Sequence, residues 1–280
     1  MADISAKDVA ALRKASGAGM MDCKKALEEN DGDIEAAKDW LRAKGLAGAS
    51  KRAGRAAEQG AIDVVVEGGV GALVELTAET DFVAKSADFK GAVSELAALA
   101  VQEGKQELDD LAFQGATVGE HVTQMAAKLG ENVALGRVVL FETADGLLDG
   151  YVHTQNERGI MGVLVELGGV DASSSAAQEV AHDIALHIAS AAPQFVNRED
   201  VPADVLERER AVFEELTRNE GKPEQAIPKI VEGRVNGFYK DTVLVEQGFV
   251  KEPKQTIAQL LETLGADATV RRFVRVKIGE

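Results

Sequence analysis

Four histidines, one cysteine and several glycine-rich turns are the residues whose types could carry covalent, metal or phosphate chemistry, and their spacing argues against each. His121, His153, His182 and His187 include no pair at the i, i+4 spacing that sets two imidazoles on one helical face around zinc. His182 and His187 fall on different faces of one predicted helix and read as ordinary helix residues. Cys23 stands beside Lys24 and Lys25 at a helix start, but no partner base accompanies it, so a half-buried structural role is expected. In NEGKPE a proline follows the lysine and breaks the P-loop pattern, while EGGVGALVEL leads from glycines into a strand rather than into the helix N-terminus a phosphate cradle requires. No catalytic constellation, metal site or cofactor site is expected, and the chain is not read as an enzyme.

Two apolar features stand out instead. Met20 and Met21 follow SGAG at a helix start, either as adaptable exposed side chains or as filling of a small core. Phe82 sits in ELTAETDFVAKSADF, directly after the charged Asp81, where a strand gives way to a loop. It folds back as a helix staple or core residue, or it stands exposed. Exposure would forfeit about 1.5–3 kcal/mol of burial and would call for a pocket on a partner.

The elements that must position these residues follow from periodicity. Ser5 with Asp8 caps a first helix carrying Val9 and Leu12 and ended by Gly17; MDCKKALEEN makes a second; Asp33 caps a third whose stripe is Ile34, Ala37, Trp40 and Leu41. Residues 1–45 are thus a three-helix module, and the small, basic run over 46–59 is a linker or a marginal helix. From Ala61 the period changes to that of strands: AIDVVVE, a Gly68-Gly69 turn and VGALVEL predict a hairpin, followed by helices from about Phe89 to Gln102 and from Thr117 with its capping box to Glu120. NVALGRVVLFE, GLLDGYVHTQ and GIMGVLVEL read as three strands of a second sheet, with a helix over SSSAAQEVAHDIALHIASAA.

GALVEL plus helix and GVLVEL plus helix are an internal repeat, predicting two related halves over 60–140 and 141–280. The first copy makes its strand-to-helix link with extra length at AETDFVAKS; the second uses GGVDASSS, without an aromatic residue. Within the second half, residues of about 202–240 predict an antiparallel coiled-coil hairpin with Val205/Val212, Leu206/Phe213 and Leu216 along its seam, answered by Ile227, Ile230, Val231 and Phe238. An extended TVLVEQGFV, a helix around Gln255 to Leu264 and a final strand TVRRFVRVKI complete an α+β fold.

The chain has 280 residues and a net charge of −16, spread unevenly: residues 1–60 carry 11 Lys/Arg against 10 Asp/Glu, and the remainder 20 against 37. An acidic bulk with 4% aromatic residues lacks the basic, stacking surface of a nucleic-acid binder, so no direct nucleic-acid contact is expected. The sequence has no run long enough to span a membrane, MADISAKDVAAL lacks the features of a signal peptide, and a single cysteine suits a reducing compartment. A cytoplasmic location without membrane contact is expected.

LRKASGAGMMDCKKALEENDGDIEAAKDWLRAKG, ETDFVAKSADF and HIASAAPQFV, in that order, closely resemble the bacterial elongation factor Ts family, the guanine-nucleotide exchange factors of the translational GTPase elongation factor Tu. The resemblance runs along essentially the whole chain. It implies an N-terminal module similar to a ubiquitin-associated domain, a core of two related subdomains with antiparallel sheets, and a protruding helical hairpin, itself a candidate for self-association. It further implies that Thr80, Asp81, Phe82 and Val83 enter the GTPase near its Mg²⁺ site, with Phe82 as a wedge and its neighbours helping to displace the ion. Arg13, Met20 and Met21 stand where that family grips the GTPase domain, and His153 where its core makes a further contact. Longer family members carry a C-terminal helical module beyond the last strand that also touches the GTPase; this sequence ends at RVKIGE, so the expectation is either a truncated chain or the absence of that contact, with some affinity missing with it. A scaffold or adaptor without exchange activity is the alternative reading.

Overall fold

The computed structural model describes residues 4–16 and 18–280. Helices α1 (Ala6–Ser16), α2 (Met20–Glu29) and α3 (Ile34–Arg52) come first. The Ser5 and Asp8 side chains and backbone N–H groups exchange hydrogen bonds of 3.2 Å at the start of α1, and the Asp33 carboxylate accepts from the N–H groups of Glu35 and Ala36 at the start of α3. Gly17, the expected end of α1, lies outside the described residues. Leu12, Cys23, Ala26, Leu27 and Ala37 are fully buried between the three helices. Ile34, expected in the inner stripe, is exposed.

Helix α3 continues seven residues beyond Gly45, into the segment read as a linker or marginal helix. The cause is tertiary. Gly45 lies so close to α6 (Val118–Leu129) that an added Cβ would stand 3.0 Å from the Ala127 Cβ, and Ala49 is buried in the main core. Packing of these small residues sustains helix where local propensity alone is weak.

The sheets are built from β1 (Gln59–Glu67), β2 (Val70–Ala78), β5 (Val133–Glu142), β6 (Leu147–Gln155), β7 (Arg158–Gly168) and β10 (Thr269–Lys277), all antiparallel, in the orders β1-β2-β5 and β10-β7-β6. The run NVALGRVVLFE therefore closes the first sheet, as β5, instead of joining the second. Its register against β2 buries Phe141 toward the other sheet while Leu135, Val138 and Leu140 pack toward the helices. Alternation alone could not say which neighbour it would choose.

Between β2 and β5 lie α4 (Asp81–Ala84), α5 (Ala87–Glu103), a two-residue ladder of β3 (Ala112–Phe113) with β4 (Ala116–Thr117), and α6. Helices α5 and α6 cover one face of the first sheet; α7 (Ser175–Ala191) and α10 (Ile257–Glu262) cover one face of the second. The remaining faces meet in a core of Ile62, Leu73, Phe141, Leu148, Leu164 and Val276. Gly162 permits the approach: a Cβ there would stand 2.7 Å from Ile62 Cγ2 and 2.8 Å from Leu73 Cδ1.

Helices α8 (Ala203–Asn219) and α9 (Ile227–Thr242) form a hairpin tied by Arg210–Glu232 (3.1 Å) and Arg234–Glu220 (2.7 Å) ion pairs. Its inner face keeps Val205, Leu206 and Phe213 of the expected seam, packed with Ile227, Val231 and Phe238 of α9. It adds the buried Thr217 and Val235 and departs from the expectation at Val212 and Leu216, which are exposed. Burial of the Thr217 hydroxyl is tolerated because it donates to the Phe213 carbonyl at 2.6 Å. The expected extended TVLVEQGFV is largely a tight turn: Thr242 ends α9, Val243 makes a single parallel bridge with Phe195, Leu244–Glu246 form a 3-10 turn, and β8 (Gly248–Phe249) pairs with β9 (Glu252–Thr256). Backbone bonds from Gln194 and Phe195 to Thr242, and from Leu244 back to Phe195, occupy this stretch and hold the base of the hairpin.

Candidate functional site

Phe82 is exposed because of how α4 is built. The backbone ladder of β2 with β5 ends at Ala78 and Val133. Beyond it, Thr80 N-caps the four-residue α4, its hydroxyl accepting from the Val83 N–H at 3.4 Å. Val83 is half-buried against the main core and Ala84 fully buried, so this side of the turn is pinned down. Phe82 is rotated away and stands 83% exposed. A lone Phe in this position gains almost nothing from the protein's own core.

The polar surroundings of α4 are organised. The Lys85 ammonium forms an ion pair with Asp81, and this hydrogen bond, aided by the charges of Lys85 and Arg158, holds the Asp81 carboxyl below its ordinary range. On the strand side, Glu131 receives both polar hydrogens of Thr80: Oε2 accepts from the backbone N–H at 2.9 Å and Oε1 from the hydroxyl at 2.5 Å. The neighbouring residues return the contact, Asn132 N–H donating to Glu79 Oε1 at 2.7 Å. The β6–β7 turn reaches the same corner, where Glu157 pairs with Lys90 at 3.8 Å and Arg158 donates to the Gly60 carbonyl at 2.7 Å.

Arg13, Met20 and Met21 line one groove of about 660 Å³ between α1 and α2, with Val9 at its floor and Lys14 and Lys24 on its rim. Met20 and Met21 are 58% and 74% exposed, so of the two readings of the pair the exposed one holds. His153 belongs to neither group: it is exposed on β6, at the edge of the second sheet, with Nδ1 3.1 Å from the Tyr151 hydroxyl. The hairpin carrying His153 meets the α4 corner through Arg158 and Glu157.

Lys85, Glu131 and Arg158 escaped the sequence reading. The i, i+4 spacing from Asp81 to Lys85 was a usable signal. Nothing local marks Glu131, which lies 51 residues from Thr80. Cys23 is free and fully buried, and among the described residues no group of three or more His, Cys, Asp or Glu is arranged to hold a metal ion. None of the described helices is long and apolar enough to cross a membrane.

An α+β scaffold that presents one capped, exposed aromatic turn, and whose residues 79–280 match the family described as Elongation factor TS, defines a translation elongation factor. Over its whole length the chain is 46% identical to elongation factor Ts of Micrococcus luteus and 44% identical to that of an Arthrobacter species, each covered completely. It is 43% identical to elongation factor Ts of Maricaulis maris, of which it covers 93%. The chain belongs to the elongation factor Ts family.

Proposed function

We propose that this chain binds GDP-bound elongation factor Tu and promotes GDP release and GTP loading by disturbing the GTPase's Mg²⁺ and phosphate site, without chemistry of its own. The observation that carries the reading is the 83% exposure of Phe82 on a turn capped and pinned on its other side. Such a side chain is matched to an apolar pocket elsewhere. Asp81, ionised beside it, supplies negative charge next to the metal site.

The driving principle is linkage. A protein that binds the distorted, emptied form of a GTPase better than its GDP form must weaken the nucleotide reciprocally. Mg²⁺ requires near-ideal octahedral oxygen ligation, so small displacements of its ligands are costly. About 1.4 kcal/mol off the barrier to release accelerates it tenfold. In this reading the segment of Thr80, Asp81, Phe82 and Val83 enters near the Mg²⁺ site, with Phe82 as the wedge and its neighbours helping to displace the ion. The groove with Arg13, Met20 and Met21, on a three-helix module of ubiquitin-associated type over 1–45, grips the GTPase domain. The two core halves, over 60–140 and 141–280, hold wedge and His153 in register, and the hairpin over about 202–240 is a coiled-coil arm.

Stopped-flow release of a fluorescent GDP analogue from elongation factor Tu tests the proposal. The chain should accelerate release, and Phe82→Ala should lose most of the acceleration while still binding. Binding without acceleration by the unaltered chain would support an adaptor role instead.

A further inference from the structure

The exposed Phe82 contributes nothing to holding its own turn, and a four-residue helix does not sustain itself, since helix nucleation fixes several dihedrals for one hydrogen bond. Something else must fix the direction in which the phenylalanine points. We propose that Glu131 is a positioning residue for exchange: by accepting both the N–H and the hydroxyl of Thr80, its carboxylate sets the N-terminus of α4 and thereby the presentation of Phe82. This rests on the reading of Phe82 as the exchange wedge.

The geometry supports a dedicated role. Backbone pairing between β2 and β5 stops at Ala78–Val133, and Glu131 takes over where it stops, one carboxylate oxygen on each Thr80 donor. Bonds to an ionised acceptor are the stronger kind. The Thr80 hydroxyl is then fully used, donating to Glu131 and accepting from the Val83 N–H, so Thr80 acts by orienting the turn. Across the ladder Glu79 accepts from the Asn132 N–H, and the Asn132 amide donates to the Arg55 carbonyl at 2.7 Å. One corner thus fastens the exit of β2, the entry to β5 and the chain arriving from α3. Without the Glu131 carboxylate the turn keeps the anchorage of Val83 and Ala84, but Phe82 samples several directions and must be ordered at the moment of insertion.

The test compares Glu131→Ala, Glu131→Gln, Phe82→Ala and the Glu131→Ala/Phe82→Ala double variant in stopped-flow GDP release from elongation factor Tu over a concentration series. Glu131→Ala should lower the maximal release rate about tenfold, the loss expected for a charge-assisted hydrogen bond, and leave the half-saturating concentration nearly unchanged because the Met20/Met21 groove is untouched. Glu131→Gln, whose amide oxygen is its only acceptor, should fall between. Amide exchange at Thr80 and Val83 should quicken in both, and in the Phe82→Ala background Glu131→Ala should cost nothing further. If Phe82→Ala slows release but neither Glu131 variant does, positioning by Glu131 is overturned and the wedge stands. Additive losses in the double variant overturn it equally, since Glu131 would then act elsewhere. A normal rate with Phe82→Ala removes the wedge and this inference together. Should Glu131→Ala not fold, the Glu131→Gln comparison decides by the same criteria.

Discussion

Glu75 on β2 and Glu166 on β7 occupy the same position of the two repeat copies, are 5% and 4% exposed, and each orients an arginine toward the opposite sheet. Arg137 binds Glu75 through Nε and Nη2 at 2.8 and 2.9 Å and donates to the Lys277 carbonyl on β10 at 2.8 Å. Arg272 binds Glu166 through Nε at 2.7 Å and donates to the Glu142 carbonyl on β5 at 2.8 Å. The two halves are fastened reciprocally, each by the other's arginine, around their shared apolar core.

Removing one member should therefore be worse than removing both. Burial pushes the Glu75 carboxyl up, and the Arg137 hydrogen bonds outweigh that and leave it below its ordinary value. Arg137→Met should cost about 2 kcal/mol, below the range for fully buried pairs because Arg137 is partly solvated. Glu75→Met combined with Arg137→Met should recover part of that loss. Urea denaturation of the single and double variants measures both quantities.

Acidification should weaken the second half before the first. His187 is 1% exposed, with Nε2 2.9 Å from Gln247 Oε1 and Nδ1 accepting from the Val250 N–H at 3.3 Å, an arrangement that suits the neutral ring. Burial lowers its pKa against the opposing pull of the Gln247 bond. With the folded value depressed, the unfolded chain binds the proton first, so stability is complete above the ordinary histidine value of about 6.5 and declines as pH falls through it. Denaturation at pH 7.5 and 5.5 should show a loss that His187→Gln lacks. Protonation of Glu75 and Glu166, whose values are lowered, contributes only below about pH 4.5.

Phe82→Ala should leave stability within about 0.5 kcal/mol, as for other exposed positions, because the ring has almost no contacts to lose. A thermal scan checks this. A drop of several degrees would mean that Phe82 packs against its own core in solution.

Met20→Ala/Met21→Ala should weaken complex formation with elongation factor Tu about tenfold or more, the scale of a central interface anchor, and spare the folding transition. Isothermal titration calorimetry reads the first and a thermal scan the second.

The helices, hairpins and repeat were legible because caps and hydrophobic periodicity are local signals. Ser5–Asp8, Asp33 and Thr117–Glu120 announce helix starts that the backbone then uses. TDFV was legible as a departure from the second copy, which makes its strand-to-helix connection without a Phe. On α8 the seam was legible at Val205, Leu206 and Phe213 but not at Val212 and Leu216, because a seven-residue repeat fits two adjacent stripes and only α9 selects between them.

By itself the sequence determined the order and type of most elements, the twofold repeat and the presence of an unusual phenylalanine, since each depends on neighbours a few residues apart. Tertiary structure alone decided that β5 joins the first sheet, that α3 runs on to Arg52 against α6, that Phe82 faces solvent and that Glu131 holds Thr80. Those outcomes depend on packing and hydrogen bonds between residues far apart in the chain, and no local periodicity encodes which distant partner a strand, a helix face or a carboxylate will find.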